Sequence, residues 1–281
     1  AAAMQPAHWT VFSLDKARQA AAAAASAGRD QALLARIYTE GDEFYSGHEG
    51  GFPAQDILAV ADALDALDSA HFAGITTFPA LLFDPQTRSV RRTRNLATLE
   101  QAAARLREKG RTDIQINGPG TTSTQTLSAL ASAGVTQVEP GHALTGTTPW
   151  HAVKDLPERP AVCYLSEVSH IYGGRAYCFG GGMYVDPVFP PYGVRAIVGR
   201  EPSSTTTLDA TLPPPQAIDY YGQLDVPTHS TVETGASVVF GFRIQAFVTR
   251  AYTAGLSGLS TGNPRVAGLW AADGSAASWP L

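Results

Sequence analysis

The chain of 281 residues has two cysteines, Cys163 and Cys178, and three lysines, Lys16, Lys109 and Lys154. Two thiols are too few for a disulfide framework. His170 and Cys178, with seven residues between them, do not match a recognised ligand spacing, so no metal is expected. No apolar run approaches the roughly 20 residues that a membrane span requires. The alanine run from Ala20 to Ala25 is flanked by Arg18 and Arg29, which is not a signal-peptide pattern. A net charge of −5 with scattered basic residues argues against a nucleic-acid surface. No internal repeat is visible. The expectation is a soluble, cytoplasmic protein, and its 44% apolar content is enough for one large or two ordinary domains.

What is present has a clear rhythm. A strand over 8–12 leads to Ser13 as a helix cap, with Asp15 in the first turn and Gly28 as the terminator. The mostly apolar stretch 32–38 reads as a strand covered on both faces. Ile57, Val60, Ala61 and Leu64 mark one helix face, and Leu96, Leu99, Ala103 and Leu106 another. Strands are expected at 72–76, 113–116 and 135–138, with a helix through Leu127 and Leu130 between the last two. Five strands alternating with helices predict part of a TIM-type (β/α) barrel, which when complete has eight. The loop 39–52, rich in glycine, acid and histidine, is longer than a usual connection and is a functional candidate. After Pro149 the helical period disappears. Strands at 161–169, 175–179, 193–198 and 237–250, with Gly/Pro turns and the stiff Pro213–Pro215 run, predict a β-rich domain. The division is 1–150 and 151–281.

The chemistry gathers at Val138-Glu139-Pro140-Gly141-His142-Ala143-Leu144-Thr145-Gly146-Thr147. A strand ends in a carboxylate, and Pro-Gly turns backbone N–H groups and a histidine toward one spot, a pattern for an anion such as phosphate. A carboxylate buried there needs a cationic or protonated partner. One ligand with both a phosphate and a protonatable ring nitrogen satisfies the set, and pyridoxal 5'-phosphate is such a ligand.

The Glu-Pro-Gly turn resembles the last barrel strand of the fold-type III pyridoxal-phosphate enzymes, the group of alanine racemase and ornithine decarboxylase. More closely, the chain resembles the YhfX-like, amino-acid racemase-like members. The likeness is carried in order by Phe12–Arg18, Phe78–Leu82, Glu139–Thr147, Cys178-Phe179-Gly180-Gly181-Gly182-Met183-Tyr184 and Phe247–Arg250, and it covers nearly the whole chain. It implies a homodimer that binds pyridoxal 5'-phosphate and acts at the α-carbon of an amino acid, first as a racemase. Decarboxylase, aldolase or dehydratase chemistry, or non-catalytic binding of the cofactor, are the alternatives. Thr77 stands where relatives carry a histidine.

Under that resemblance Glu139 is the ring-nitrogen partner, and Gly118, Thr121, Thr122, Gly141 and His142 are the phosphate contacts. Cys178, if its pKa is lowered near a pyridinium, is a second acid–base group, and otherwise a buried inert thiol. Tyr184 and the pair Tyr220-Tyr221 are further proton carriers or phosphate contacts. Arg243 or Arg250 is available for a substrate carboxylate. No lysine sits at the end of a barrel strand, where the Schiff-base lysine belongs. In the family this lysine follows the first strand, and the first strand here resembles about the fourth. The chain is therefore expected to be a family member without the N-terminal part of its barrel.

Overall fold

The computed structural model describes residues 2–146, 148–151, 153–179, 194–201, 203–204, 206–211, 221–228, 231–240, 252–271 and 273–278. They divide into two compact units, Ala1–Leu144 with Leu156–Glu158, and Thr145–Asp155 with Arg159–Leu281. No helix is long and apolar enough to cross a membrane among the described residues.

In the first unit β1 (Trp9–Val11) leads into α1 (Leu14–Ser26), where the Ser13 hydroxyl accepts the Lys16 N–H at 3.2 Å. This helix buries Ala17, Ala20, Ala21 and Ala24, side chains small enough to bring it close to its neighbours. β2 (Gln31–Tyr38), β3 (Phe52–Pro53), α2 (Ile57–Asp65) and β4 (Ala70–Thr76) follow. Next come β5 (Leu81–Asp84), β6 (Ser89–Arg92), α3 (Arg94–Glu108), β7 (Gln115–Asn117), α4 (Leu127–Ser132) and α5 (His142–Thr145). Both expected helix faces are buried: Ile57, Val60, Ala61 and Leu64 on α2, and Leu96, Leu99, Ala103 and Leu106 on α3. The Thr93 hydroxyl caps α3 by accepting the Leu96 N–H, and donates toward the Pro79 and Ala80 carbonyls.

The sheet is parallel, in the order β1-β2-β4-β7, with β3 beside β2. The fifth expected strand, 135–138, is reduced to one parallel bridge, Asn117 with Gln137. Gly74 determines how closely β4 and β7 approach. Its φ is +155°, and an added Cβ would lie 2.0 Å from the Gln115 carbonyl oxygen, so no side chain fits. β5 and β6 form an antiparallel hairpin that strand periodicity did not reveal.

The second unit contains a closed antiparallel barrel in the order β10-β11-β12-β9-β8-β13. Its strands are β8 (Tyr164–Tyr172), β9 (Arg175–Cys178), β10 (Val194–Gly199), β11 (Thr207–Thr211), β12 (Gly222–Asp225) and β13 (Ser237–Phe240). A separate hairpin pairs β14 (Thr253–Ser257) with β15 (Arg265–Trp270). Alternate residues point inward, so Val168, Ala176, Cys178, Ala196, Val198, Leu208, Ala210, Leu224, Val238 and Phe240 fill the interior. The chain thus has the expected architecture, a parallel β/α unit of TIM-barrel type followed by a β-rich unit. Of the strand expected at 237–250, residues 237–240 are β13, and the rest lies outside the described residues.

Candidate active site

The C-terminal ends of β2, β4 and β7 collect polar side chains above a largely aliphatic core. Asn117, the last residue of β7, is 3% exposed. Its Nδ2 donates to Thr76 Oγ1 at 3.0 Å and to Glu139 Oε1 at 2.7 Å. The bridge between Asn117 and Gln137 sets this up, because it places Glu139 two residues beyond the paired position. The carboxylate was expected to be buried against a cation. Instead Glu139 is exposed, and its direct partner is the neutral Asn117 amide. Solvent at the strand end makes a buried counter-charge unnecessary.

A cation does lie within electrostatic range. Arg36, on β2, is 6% exposed, and its Nη2 donates to the carbonyls of Phe78 at 2.9 Å and His48 at 3.2 Å. Its guanidinium carbon lies 5.4 Å from the Phe12 ring centre and 6.0 Å from that of Phe78. Burial pushes its pKa down, opposed by the charges of Glu139 and then Asp42. Its Nε is buried without a partner. Thr77 Oγ1 and Asn117 Oδ1 are likewise buried and unpartnered. Buried polar atoms without a protein partner at this end of the sheet are positioned to meet a polar ligand or water, and Arg29 Nη1 and Gln31 Oε1 are in the same state at the opposite end of β2.

The loop after β7 adds two hydroxyls. Thr122 Oγ1 and Ser123 Oγ are buried and unpartnered. Ser123 was not singled out from sequence, although it continues the Thr121-Thr122-Ser123-Thr124 run. Thr121 has φ +40° and its hydroxyl lies 3.4 Å from the Leu81 carbonyl. Gly118 was expected to offer its N–H to a phosphate. That N–H is already donated to the Gln137 carbonyl at 2.9 Å, and a Cβ at this position would lie 2.9 Å from Val135 Cγ2. Its glycine therefore serves close packing. Gly141 is exposed and His142 is half-buried at the start of the four-residue α5.

The loop 39–52 is clasped onto α3. Glu43 N–H donates to Asn95 Oδ1 at 2.8 Å, and Asn95 Nδ2 returns a bond to the Glu43 carbonyl at 2.9 Å. Thr98 Oγ1 donates to Asp42 Oδ1 at 2.9 Å. Arg91 grips the Glu43 carboxylate with both terminal nitrogens, which holds its pKa below the usual range. From the same loop Tyr45 and His48 pack on the Phe78 ring, each with centroids 5.5 Å apart.

Other expected residues fall elsewhere. Cys178 is fully buried in the barrel core, and burial pushes its thiol up to about 12. This is opposite to the lowered value an acid–base thiol needs. His170 lies on the other face of the barrel wall, with its ring stacked on Tyr177 at 4.6 Å. Tyr221 is exposed beside His170, Tyr177 and Phe179. Tyr184, Thr147, Tyr220, Arg243 and Arg250 lie outside the described residues. Lys16 is on α1, bonded to Gln19, and Lys109 terminates α3. Lys154, in the second unit, lies over the Trp150 ring at 5.0 Å.

Residues 1–149 match the model of the alanine racemase N-terminal domain, and residues 163–266 match that of the YhfX-like C-terminal domain. The chain is 39% identical to YhfX, an uncharacterized protein of Escherichia coli (strain K12), over 93% of this chain and 66% of that one. Among solved structures it is similar in fold to D-threonine aldolase from Filomicrobium marinum. That match has a TM-score of 0.56 and 17% identity, over 84% of this chain and 60% of that one. It is also similar to D-threo-3-hydroxyaspartate dehydratase from Delftia sp. HT23, with a TM-score of 0.55 and 19% identity over 97% and 71%. Alanine racemase of Clostridium difficile 630 gives a TM-score of 0.54 and 13% identity over 94% and 72%. The chain therefore spans about two thirds or less of the length of the first of these relatives and structures.

Proposed function

The chain belongs to the alanine racemase N-terminal domain family of fold-type III pyridoxal-phosphate proteins and ends in a YhfX-like domain, and on that premise we propose that it holds pyridoxal 5'-phosphate at the C-terminal edge of its parallel sheet. We propose further that the protein acts at the α-carbon of an amino acid as a racemase-type isomerase, and that it does so as a homodimer.

One observation carries this reading. Glu139 follows Gln137 and the unpartnered hydroxyls of Thr122 and Ser123 follow Asn117, two positions that pair with each other. A proton acceptor for a pyridine nitrogen thus shares a sheet edge with donors for a phosphate. When bound, the cofactor supplies an electron sink for negative charge at the substrate α-carbon. Glu139 holds a proton at the ring nitrogen through a charge-assisted hydrogen bond. Thr122 and Ser123 donate to phosphate oxygens, with Thr121, Gly141 and His142 as outer contacts. Arg36, a buried cation with a spare N–H, draws an anionic group of the ligand toward β2. Racemisation needs a proton carrier on each face of the α-carbon. None of the three lysines stands at the end of a strand of the parallel sheet, and the barrel-core position of Cys178 removes that residue from the role.

The test is α-proton exchange in deuterated water, with added cofactor and a panel of amino acids. The expected result is exchange that Glu139→Ala lowers by about tenfold or more, the scale of one lost charge-assisted bond. Undiminished exchange in the variant would remove Glu139 from the mechanism. Chiral product analysis separates the reactions. A racemase yields only the enantiomer, an aldolase releases an aldehyde, and a dehydratase releases ammonia and an oxo acid.

A further inference from the structure

We infer that Asn117 is a positioning residue for Glu139, holding one carboxylate oxygen so that the other meets the ring nitrogen of a bound pyridine. The inference rests on the cofactor reading above and adds a residue to it. Glu139 lies beyond the last bridged position and is exposed, so the sheet does not fix its side chain. Left alone, a glutamate in solvent samples many rotamers, and ordering it opposes ligand binding. Asn117 supplies the missing constraint. It is 3% exposed, its backbone is paired in the sheet, and both hydrogens of its amide have acceptors, Thr76 Oγ1 at 3.0 Å and Glu139 Oε1 at 2.7 Å.

The amide has only one workable orientation. Flipping it would set Oδ1 against the Glu139 carboxylate, acceptor to acceptor, and lose that bond, even where the Thr76 hydroxyl turned to donate to Oδ1. The Thr76 hydroxyl is itself directed toward the Thr77 carbonyl at 3.4 Å. A line of oriented groups therefore runs from β4 through β7 to the carboxylate. It engages Oε1 and leaves Oε2 as the oxygen that Asn117 does not occupy. The amide is neutral, so it orients Glu139 without neutralising it, and the carboxylate keeps its charge for the ligand. A lysine or arginine at 117 would cancel that charge.

The test compares binding of pyridoxamine 5'-phosphate with that of its analogue carrying C–H in place of the ring nitrogen, by calorimetric titration of the intact protein. The wild type is expected to prefer the pyridine compound by about tenfold or more, as one charge-assisted hydrogen bond allows. Asn117→Asp, which is isosteric and repels Glu139, should abolish the preference, and Asn117→Leu should reduce it to about twofold or less. Thr76→Val, which leaves the asparagine in place but loosens it, should give an intermediate value. Binding of inorganic phosphate should stay unchanged in all three, which a general loss of structure would not permit. A preference retained within about twofold in the Asn117 variants overturns the inference and leaves the cofactor reading intact. A wild type that fails to bind pyridoxamine 5'-phosphate overturns both.

Discussion

The interior of the parallel unit ends in an amide, hydroxyls and a guanidinium, whereas the described interior of the antiparallel barrel is apolar apart from one thiol. Both units contain fully buried aliphatic side chains, so their presence alone does not distinguish the two. The buried polar groups left without partners do. Arg36, Thr77, Asn117, Thr122 and Ser123 belong to the parallel unit and lie at or just after the C-terminal ends of its strands, while Arg29 and Gln31 carry two more such atoms at the opposite end of β2. A scaffold selected only for stability would replace such groups by apolar ones of similar size, so their retention points to work done there. The barrel interior shows the other outcome, a core in which each inward position is filled for packing.

The contrast can be broken most severely at Gly74. Gly74→Ala drives a methyl group into the β7 backbone, with an expected cost above about 4 kcal/mol, and should remove the cooperative melt of the parallel unit. A variant melting within a few degrees of the wild type would mean that β4 and β7 can separate cheaply. The next test contrasts one residue from each interior. Phe240→Ala in the barrel should cost about 3–5 kcal/mol in denaturant melts and leave pyridoxamine 5'-phosphate affinity unchanged. Arg36→Met should cost less, about 1–3 kcal/mol through the two carbonyls it leaves without a donor, while weakening the ligand about tenfold or more. If Arg36→Met proved as destabilising as Phe240→Ala, the guanidinium would be structural.

The effect that is smallest at neutral pH concerns Cys178. Its neutral thiol is favoured by burial, so the folded pKa of about 12 exceeds the unfolded value of about 8.5. The sign follows by linkage. Stability is insensitive to this group below about pH 8.5 and declines as pH rises toward 12, where the unfolded chain alone is ionised. Cys178→Ala should flatten that alkaline decline. In the native protein at pH 8 the exposed Cys163 should react with a thiol reagent and Cys178 should not. Rapid labelling of Cys178 would place it in an accessible site after all.

The helices were legible in the sequence because their periodicity is local. Ser13 caps α1 as expected and the apolar faces of α2 and α3 recur at the helical period, whereas the Thr93 cap of α3 was not singled out. The parallel strands were legible as short apolar runs, but β5–β6 was not, since half of that hairpin is the polar stretch Ser89–Arg92. β11 and β12, of five and four residues, are too short to stand out from turns. At the site, Glu139 was visible as an acid at a strand end, while its link to Asn117 depends on a register spanning 22 residues. Arg36 was not singled out although the stretch 32–38 was read as covered on both faces, because its partners, the carbonyls of His48 and Phe78, lie 12 and 42 residues away. The inward turn of Cys178 depends on the parity of β9, and a one-residue shift would have put it outside.

The clasp between Asn95 and Glu43 has a consequence for observing this molecule in solution. The segment between Glu43 and His48 is tethered at one end by α3 and at the other by the same guanidinium that a ligand anion would seek. An anion met by the unpartnered Nε–H of Arg36 would act on the same guanidinium that holds the His48 carbonyl through Nη2. Occupancy should therefore be written into hydrogen-exchange rates at amides between these tethers, including amides that no ligand touches. The loop becomes a built-in reporter, readable before any substrate is known.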